Sequence, residues 1–181
     1  PLYRAIKSIH SHQTKLIFLT PEGNLFNQEK AHQLVKKQEV ILVCGHYEGF
    51  DHRIFDLFDH EKISIGDYIL TGGELPALVV LDSVIRLYDT VVNNPNSLVE
   101  ESFNNGLLEY SQYTKPSNYL DLEVPDVLLS GHHKNIELWR RQSSLINTLK
   151  NRPDLLENSI LTEKDIDFLA SFIEENYHDN K

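Results

Sequence analysis

The sequence has 181 residues, of which 40% are hydrophobic, and its formal net charge at pH 7 is −10. A chain of this length can bury a sizeable core and form one domain plus a small second one. The acidic balance disfavours a general nucleic-acid binder, because phosphate contacts require a basic surface. Composition alone therefore favours an acidic enzyme that acts on a small molecule.

No apolar run reaches the length of about eighteen residues that a membrane span needs, and no signal peptide pattern opens the chain. The only cysteine is Cys44, which excludes an internal disulfide framework and a thiolate zinc cluster. We therefore predict a cytoplasmic protein without a membrane partner. The chain has no methionine, and its amphipathic start precedes the first strand. We expect it to be a fragment of a longer protein.

Strands and a helix alternate at the beginning of the chain. Residues 15–20 and 39–44 are apolar runs, closed by residues 21–24 and by Gly45, and both runs predict buried strands. Residues 27–37 between them have helical polarity, with Asn27 placed as the N-cap. This alternation favours a parallel sheet with crossover helices.

A third apolar stretch, residues 63–70, is interrupted at Gly66 and ends before two consecutive glycines. Residues 74–87 then predict a helix, whose first turn tolerates Pro76. At residues 93–97 the periodicity disappears and polar turn residues dominate, which indicates a linker. We therefore expect a domain boundary there.

Beyond this boundary the pattern predicts mainly helices. Residues 124–129 read as extended, and a helix is expected from about residue 130 through Trp139. The last helix begins near a sequence close to a capping box, residues 162–165. We expect Ile166, Leu169 and Ile173 to lie on one apolar face of this helix.

Three glycine-bearing turns follow the predicted strands, at residues 20–23, 45–49 and 66–73. Ligands of open α/β sheets lie outside the carboxyl ends of the strands, where glycine lets a backbone approach closely. None of these turns has the spacing of a dinucleotide fingerprint or a P-loop. From the pattern alone, a binding site and ordinary turn glycines remain equally good interpretations.

Two segments make the interpretation specific. Residues 42–53 (LVCGHYEGFDHR) and 64–77 (SIGDYILTGGELPA) resemble the two signature stretches of the bacterial tRNA (guanine-N1)-methyltransferases, which belong to the SPOUT superfamily. The resemblance continues through residues 82–86, 101–103, 106–109, 113–116, 124–125, 129–133 and 139–140, and so covers nearly the whole chain.

The resemblance implies an α/β fold with a mostly parallel sheet, a deep trefoil knot and a small helical C-terminal domain. We expect a knotted donor-binding domain at residues 1–92, a flexible linker at 93–104 and a helical tRNA-binding domain at 105–181. The family has further N-terminal residues that are absent here. The resemblance also implies a homodimer with the active site between subunits and a linker that orders when tRNA binds.

The resemblance further implies that the methyl donor, S-adenosylmethionine, is held bent inside the knot. The matching positions are Phe18, Leu19, Thr20, Pro21, Gly45, Tyr47, Glu48, Gly49, Ile65, Gly66, Asp67, Tyr68, Ile69, Leu70, Gly72 and Gly73. Much of this binding would use backbone groups. The implied reaction transfers the methyl group to N1 of the guanosine at position 37 of tRNA, immediately 3′ of the anticodon.

Methylation at N1 of guanine requires removal of a proton that is not labile at neutral pH, so a carboxylate must accept it. The family places an aspartate where this chain has Glu101, and a second aspartate where it has Glu109. Both substitutions keep a carboxylate but move it one methylene farther from the backbone. We expect this change to affect the rate of methyl transfer rather than the class of reaction. Arg86 matches a family arginine that steadies the guanine oxygen as negative charge develops. An ion pair with Asp82 is its alternative role.

The remaining implied partners are tRNA and magnesium. We expect Lys115, Arg140 and Arg141 to contact tRNA, with ordinary surface ion pairs as the alternative. Tyr113 and Trp139 can stack on bases, although a helical tryptophan is more often core. The nine histidines lack metal-site spacing. Magnesium is therefore expected near Glu101 and Glu109 without a dedicated protein cage.

Two rival functions remain open at this point. One is a non-catalytic knotted module that binds RNA or the donor, since the proton acceptor differs from the family aspartate. The other is a small-molecule methyltransferase, which the acidity favours.

Overall fold

The computed structural model describes residues 1–46, 49–88, 91 and 101–177. The chain divides into two compact units, Pro1–Pro95 and Asn96–Lys181. The predicted division at residues 92 and 104 stays a prediction, and residues 93–100 of the expected linker lie outside the described residues.

The first unit is a parallel sheet with helices. Its elements are α1 (Leu2–Ile9), β1 (Thr14–Leu25), α2 (Gln28–Leu34), β2 (Glu39–Cys44), a 3₁₀ helix (His52–Asp56), β3 (Glu61–Ser64) and α3 (Glu74–Ile85). The strand order is β2-β1-β3, and β1 runs parallel to both neighbours. This confirms the predicted α/β class with a parallel sheet. The trefoil knot stays a prediction.

The central strand β1 is buried on both faces, as expected for a strand covered on both sides by other elements. Leu16 and Phe18 point to one face, and Ile17 and Leu19 to the other. The first pair packs with Ile6, Val43 and Ile54, and the second with Leu34, Ile63 and Val80. One strand therefore joins two hydrophobic clusters.

Strand β1 continues beyond Thr20, where the sequence predicted its end. Leu19 and Asn24 both lie opposite Ile63 of β3, so the four residues between them bulge out of the ladder. Gly23 lies so close to the β3 backbone at Lys62 and Ile63 that a side chain there would overlap it. The predicted turn therefore exists, but as an interruption within a strand.

Two helix predictions for this unit are confirmed with shorter bounds. The Asn27 side chain accepts a hydrogen bond from the Lys30 N–H at 2.9 Å and caps α2, which ends at Leu34. Helix α3 begins at Glu74 as predicted and ends at Ile85. The stretch 63–70 is a strand only as far as Ser64, since Gly66 adopts φ 151° and turns the chain.

The second unit is mostly helical. Its elements are β4 (Asn118–Tyr119), β5 (Leu122–Glu123), α4 (Asp126–Leu129), α5 (His133–Asn151), a 3₁₀ helix (Pro153–Asn158) and α6 (Glu163–Tyr177). Residues 124–129 were expected to be extended, and this is wrong for α4. Pro125 accepts a hydrogen bond from Leu128 at 2.9 Å and starts a helical turn. Across the described parts of the chain, no helix combines the length and apolar character needed to cross a membrane.

Leu107, Leu145 and Leu169 form the core of the second unit. Of the three apolar residues predicted to share one face of α6, only Leu169 is buried, whereas Ile166 and Ile173 are 54% and 40% exposed. Phe168 packs against this core instead. The face that α6 turns to the core is therefore rotated from the predicted one.

The capping box at the start of α6 is confirmed and extends into an ion pair. The Thr162 N–H donates to an Asp165 carboxylate oxygen at 2.9 Å, and the Asp165 N–H donates to the Thr162 hydroxyl at 3.2 Å. Arg141 of α5 donates two hydrogen bonds to the same carboxylate, at 3.1 and 2.9 Å. The hydrogen bonds from Arg141 lower the pKa of the Asp165 carboxyl group to about 2. They outweigh the effect of burial, which alone would raise this pKa.

We predict that Asp165→Asn lowers the free energy of unfolding by about 2 kcal/mol near pH 7. The native pKa lies below the unfolded value of about 4, so this stabilisation is present above pH 4. It disappears as the pH falls towards 2. Urea denaturation at several pH values measures it.

The matched control is Asp154→Asn, which breaks an exposed pair with Arg152. Exposed pairs contribute little, so this variant should unfold almost like the parent chain. Equal effects of the two substitutions at neutral pH would contradict the assignment.

Candidate functional site

A cavity of about 490 Å³ lies at the carboxyl ends of the three parallel strands. Strand β2 pairs with one edge of β1, and β3 pairs with the other edge. The strand order therefore reverses at β1. Ligands of open α/β sheets bind at such a switch point. The cavity size is typical of a site for one small organic ligand.

Twelve of the sixteen residues predicted to bind the donor line this cavity. They are Leu19, Thr20, Pro21, Gly45, Gly49, Ile65, Gly66, Tyr68, Ile69, Leu70, Gly72 and Gly73. They come from the bulge of β1, the turn after β2 and the turn after β3. The three glycine-bearing turns therefore converge on one site.

The other four predicted residues are placed differently. Phe18 is fully buried in the core, and exposed Asp67 does not line the cavity. Tyr47 and Glu48 lie outside the described residues. Phe18 contacts the rings of Phe50 and Phe55, which line the cavity, but does not line it itself.

Sequence reasoning missed nine residues that line the cavity. Six of them belong to the two signature segments and could have been found there: His46, Phe50, His52, Ser64, Thr71 and Pro76. The other three, Glu22, Phe55 and Ile63, had no such signal.

The turn after β2 and the start of α3 touch through backbone. The Gly73 N–H donates to the Gly45 carbonyl at 3.0 Å. A Cβ atom on Gly73 would lie 2.7 Å from the Cys44 Cα atom, where real Cβ contacts do not occur. Glycine at position 73 is therefore required for two walls of the cavity to meet.

A side-chain contact reinforces the same junction. His46 forms a backbone bridge with Gly72, and its ring hydrogen-bonds the Glu74 carboxylate. The pKa of Glu74 is lowered, first by its own backbone N–H and then by His46. Because both side chains are 56% exposed, the pair contributes little to stability.

The turn that follows β3 is held by its own polar groups. The Ser64 hydroxyl donates to the Gly66 carbonyl at 3.2 Å, and the Tyr68 hydroxyl donates to the Ile65 carbonyl at 3.1 Å. At the rim, Lys62 pairs with Glu22 at 2.6 Å, which lowers the pKa of Glu22. The cavity thus combines apolar side chains, backbone groups and the paired carboxylate of Glu22.

The comparison with known proteins fits this site. A family model described as tRNA (Guanine-1)-methyltransferase TrmD matches residues 1–158. This chain belongs to that family. The matched region contains both signature segments and the whole of the cavity.

Curated relatives extend the match. A tRNA (guanine-N(1)-)-methyltransferase of Dictyoglomus turgidum is 48% identical over 97% of this chain and 71% of its own length. The protein of the same name from Lachnoclostridium phytofermentans is 52% identical over 86% of this chain and 56% of its own length. The one from Halalkalibacterium halodurans is 49% identical over 94% and 71%.

The residues predicted for the chemistry of the family lie in both units. Arg86 follows α3, is half-buried, and donates its N–H to the Asp82 carbonyl at 3.2 Å. Glu101 and Glu109 belong to the second unit. The Ser102 hydroxyl accepts the Glu109 N–H at 2.9 Å, which brings the two acidic segments together.

Helix α5 fixes the backbone around Glu109. Asn147 donates to the Glu109 carbonyl at 3.0 Å. The fully buried Thr148 accepts the Leu108 N–H at 2.9 Å and donates to the Ser144 carbonyl. Polar side chains of one helix face therefore determine where the segment with this carboxylate lies.

The three cations predicted to contact tRNA have different surroundings. Arg141 forms an ion pair with Asp165, and its predicted contact with tRNA stays a prediction. The Arg140 guanidinium lies 4.7 Å from the centre of the Tyr110 ring. Lys115 is exposed and lines a second cavity together with Arg140. Among the described residues, no group of three or more His, Cys, Asp or Glu is arranged to hold a metal ion.

We predict that Gly73→Val abolishes binding of S-adenosylhomocysteine, because any side chain at this position pushes the turn after β2 away from α3. Isothermal titration calorimetry measures the affinity, and circular dichroism verifies that helix content is retained. Gln33→Val, which introduces the same side chain at an exposed position of α2, should leave binding intact. Unchanged affinity in Gly73→Val would contradict the assignment of this cavity.

Proposed function

We propose that this protein transfers a methyl group from S-adenosylmethionine to N1 of the guanosine at position 37 of tRNA. The observation that supports this is the convergence of both signature segments of the family on one cavity at the strand ends. Its size and lining fit the donor. Leu19, Ile65 and Leu70 offer apolar walls for a purine, and the glycine turns offer backbone groups.

The donor supplies an electrophilic methyl carbon, and the residues of this chain must prepare the nucleophile. Guanine N1 carries a proton at neutral pH, so its lone pair becomes available only when a base removes that proton. Glu101 is proposed as this base. Its carboxylate accepts the N1 proton while N1 attacks the methyl carbon. The carbon–sulfur bond of the sulfonium breaks at the same time, and its electron pair leaves with the sulfur as S-adenosylhomocysteine.

Loss of the N1 proton leaves negative charge that guanine shares with its O6 atom. Arg86 is proposed to stabilise this charge, since a fixed cation needs no reorganisation during the reaction. Glu109, whose backbone is held by Asn147, is proposed to support the same site. Magnesium would belong near these carboxylates and the RNA, as a hard cation that prefers oxygen ligands.

The proposed homodimer is supported by the surface of α3. Five apolar side chains of this helix are at least 40% exposed: Leu75, Leu78, Val79, Leu81 and Ile85. Exposed apolar patches of this kind mark contact sites in soluble proteins. We therefore propose that α3 packs against a second copy of this chain.

We predict that Glu101→Gln lowers the rate of methyl transfer to tRNA by about 10²–10⁴-fold, because the amide keeps the shape but accepts no proton. Donor affinity should not change. Glu101→Asp, which installs the family residue, should be at least as fast as the parent. Single-turnover transfer of a labelled methyl group measures all three proteins.

The neighbouring carboxylate gives a matched control. Glu100→Gln should retain full activity, and loss of activity in this variant would place the base one residue earlier. A parent protein that binds the donor but never transfers the methyl group would favour a non-catalytic module. Transfer of the methyl group to a small molecule but not to tRNA would favour a small-molecule methyltransferase.

We predict that Leu78→Glu converts the proposed dimer into monomers, because a charge cannot be buried in an apolar contact without a partner. Sedimentation equilibrium measures the mass. Gln33→Glu, on the exposed face of α2, should leave the dimer intact. A dimer that persists in Leu78→Glu would show that α3 is not the contact.

A further inference from the structure

A second cavity, of about 310 Å³, lies within the second unit. It opens between residues 110–115, the β4–β5 hairpin, α4 and the start of α5. This volume is at the lower end of the range for ligand sites. It suits a single base with its sugar rather than a larger ligand.

The walls of this cavity combine apolar side chains with two tyrosines. Val124, Leu128 and Ile136 are partly buried and form an apolar surface. Tyr110 and Tyr113 contribute their rings, and Tyr113 is 46% exposed. Aromatic rings at the edge of an apolar cavity are what an unstacked nucleobase requires, because every base has a flat face to stack.

The charges at this cavity differ from those of the whole chain. Lys115 and Arg140 line it, and none of the twelve described lining residues is acidic. The chain as a whole carries a net charge of −10. Four carboxylates lie within two residues of lining residues along the chain: Glu109, Glu123, Asp126 and Glu137. Gln112 and Asn118 donate hydrogen bonds to the first two. The described lining of this cavity therefore carries positive charge within an acidic protein.

The Arg140 guanidinium lies against an aromatic ring. Its central carbon lies over the Tyr110 ring, 4.7 Å from the ring centre, which is a cation–π contact. A guanidinium in this position can stack on a base or donate its N–H groups to phosphate oxygens. A lysine could not do both.

The cavity wall is preformed. The Ser111 N–H donates to the Ser143 hydroxyl at 3.0 Å, and Asn147 donates to the Ser111 hydroxyl at 3.3 Å. These bonds attach the segment that carries both tyrosines to α5. A ligand therefore meets a wall that needs little ordering, which favours affinity.

We propose that this second cavity binds one unpaired nucleotide of the RNA substrate, other than the methylated guanosine. Its base stacks on the tyrosine rings, and its phosphate contacts Lys115 and Arg140. The inference rests on the proposed function, since it takes RNA to be the substrate. It explains how an acidic chain holds a polyanion, through a local site rather than through its net charge.

The test uses tRNA transcripts that each carry 2-aminopurine at one unpaired position. Binding of the parent protein should quench this fluorophore at one position by stacking, and Tyr113→Ala should abolish that quenching. It should also weaken tRNA binding about tenfold, the effect expected for one lost base stack. Tyr113→Phe keeps the ring and should restore both signals.

Arg140→Ala tests the phosphate contact. It should reduce the salt dependence of tRNA binding by about one unit of slope. The matched control is Lys134→Ala, which removes a positive charge from an exposed position of α5 that does not line the cavity. This control should keep the slope, the affinity and the quenching.

Several outcomes would overturn the proposal. Quenching that persists in Tyr113→Ala, or equal slopes for Arg140→Ala and Lys134→Ala, would do so. If Arg140→Ala weakens binding but Tyr113→Ala has no effect, Arg140 contacts only the RNA backbone, and no base stacks in the cavity. Methyl transfer by the parent protein is measured in parallel: active protein without a quenched position fails only this inference, whereas inactive protein fails the proposed function.

Discussion

The first unit depends on a backbone contact that only glycine permits. Gly73 lies against Cys44 and donates its N–H to Gly45, which joins the end of β2 to the start of α3. This contact closes the cavity at the point where the strand order reverses around β1. Both signature segments of the family meet there, so the motifs that identify the family also build its binding site.

Much of the first unit follows from local patterns. The strands, the Asn27 cap and the start of α3 were predicted because short apolar runs and capping residues act within a few positions. The continuation of β1 to Leu25 was not predictable in this way. It arises because Asn24 returns to the ladder beside Ile63, a partner far away in the sequence. Tertiary pairing overrode the local turn signal.

The functional-site predictions also divide into those that local sequence patterns support and those that depend on the fold. The motif residues on turns line one cavity as a group, and their contact with the donor stays a prediction. Phe18 is buried in the core, where it packs against two of the lining residues. Arg141, which was predicted to contact tRNA, pairs with Asp165 in the first turn of α6, 24 residues later in the sequence. Charge in the sequence indicates which residues can contact RNA. Only the fold shows which cations already serve an internal ion pair.

The central claim is that this chain methylates tRNA at a guanosine immediately 3′ of the anticodon. The most direct measurement is transfer of a labelled methyl group from S-adenosylmethionine to paired tRNA transcripts that carry guanosine or adenosine at that position. The account predicts incorporation of one methyl group, at N1, only in the guanosine transcript. Equal incorporation in both transcripts, or none in either by protein that binds the donor, would contradict it.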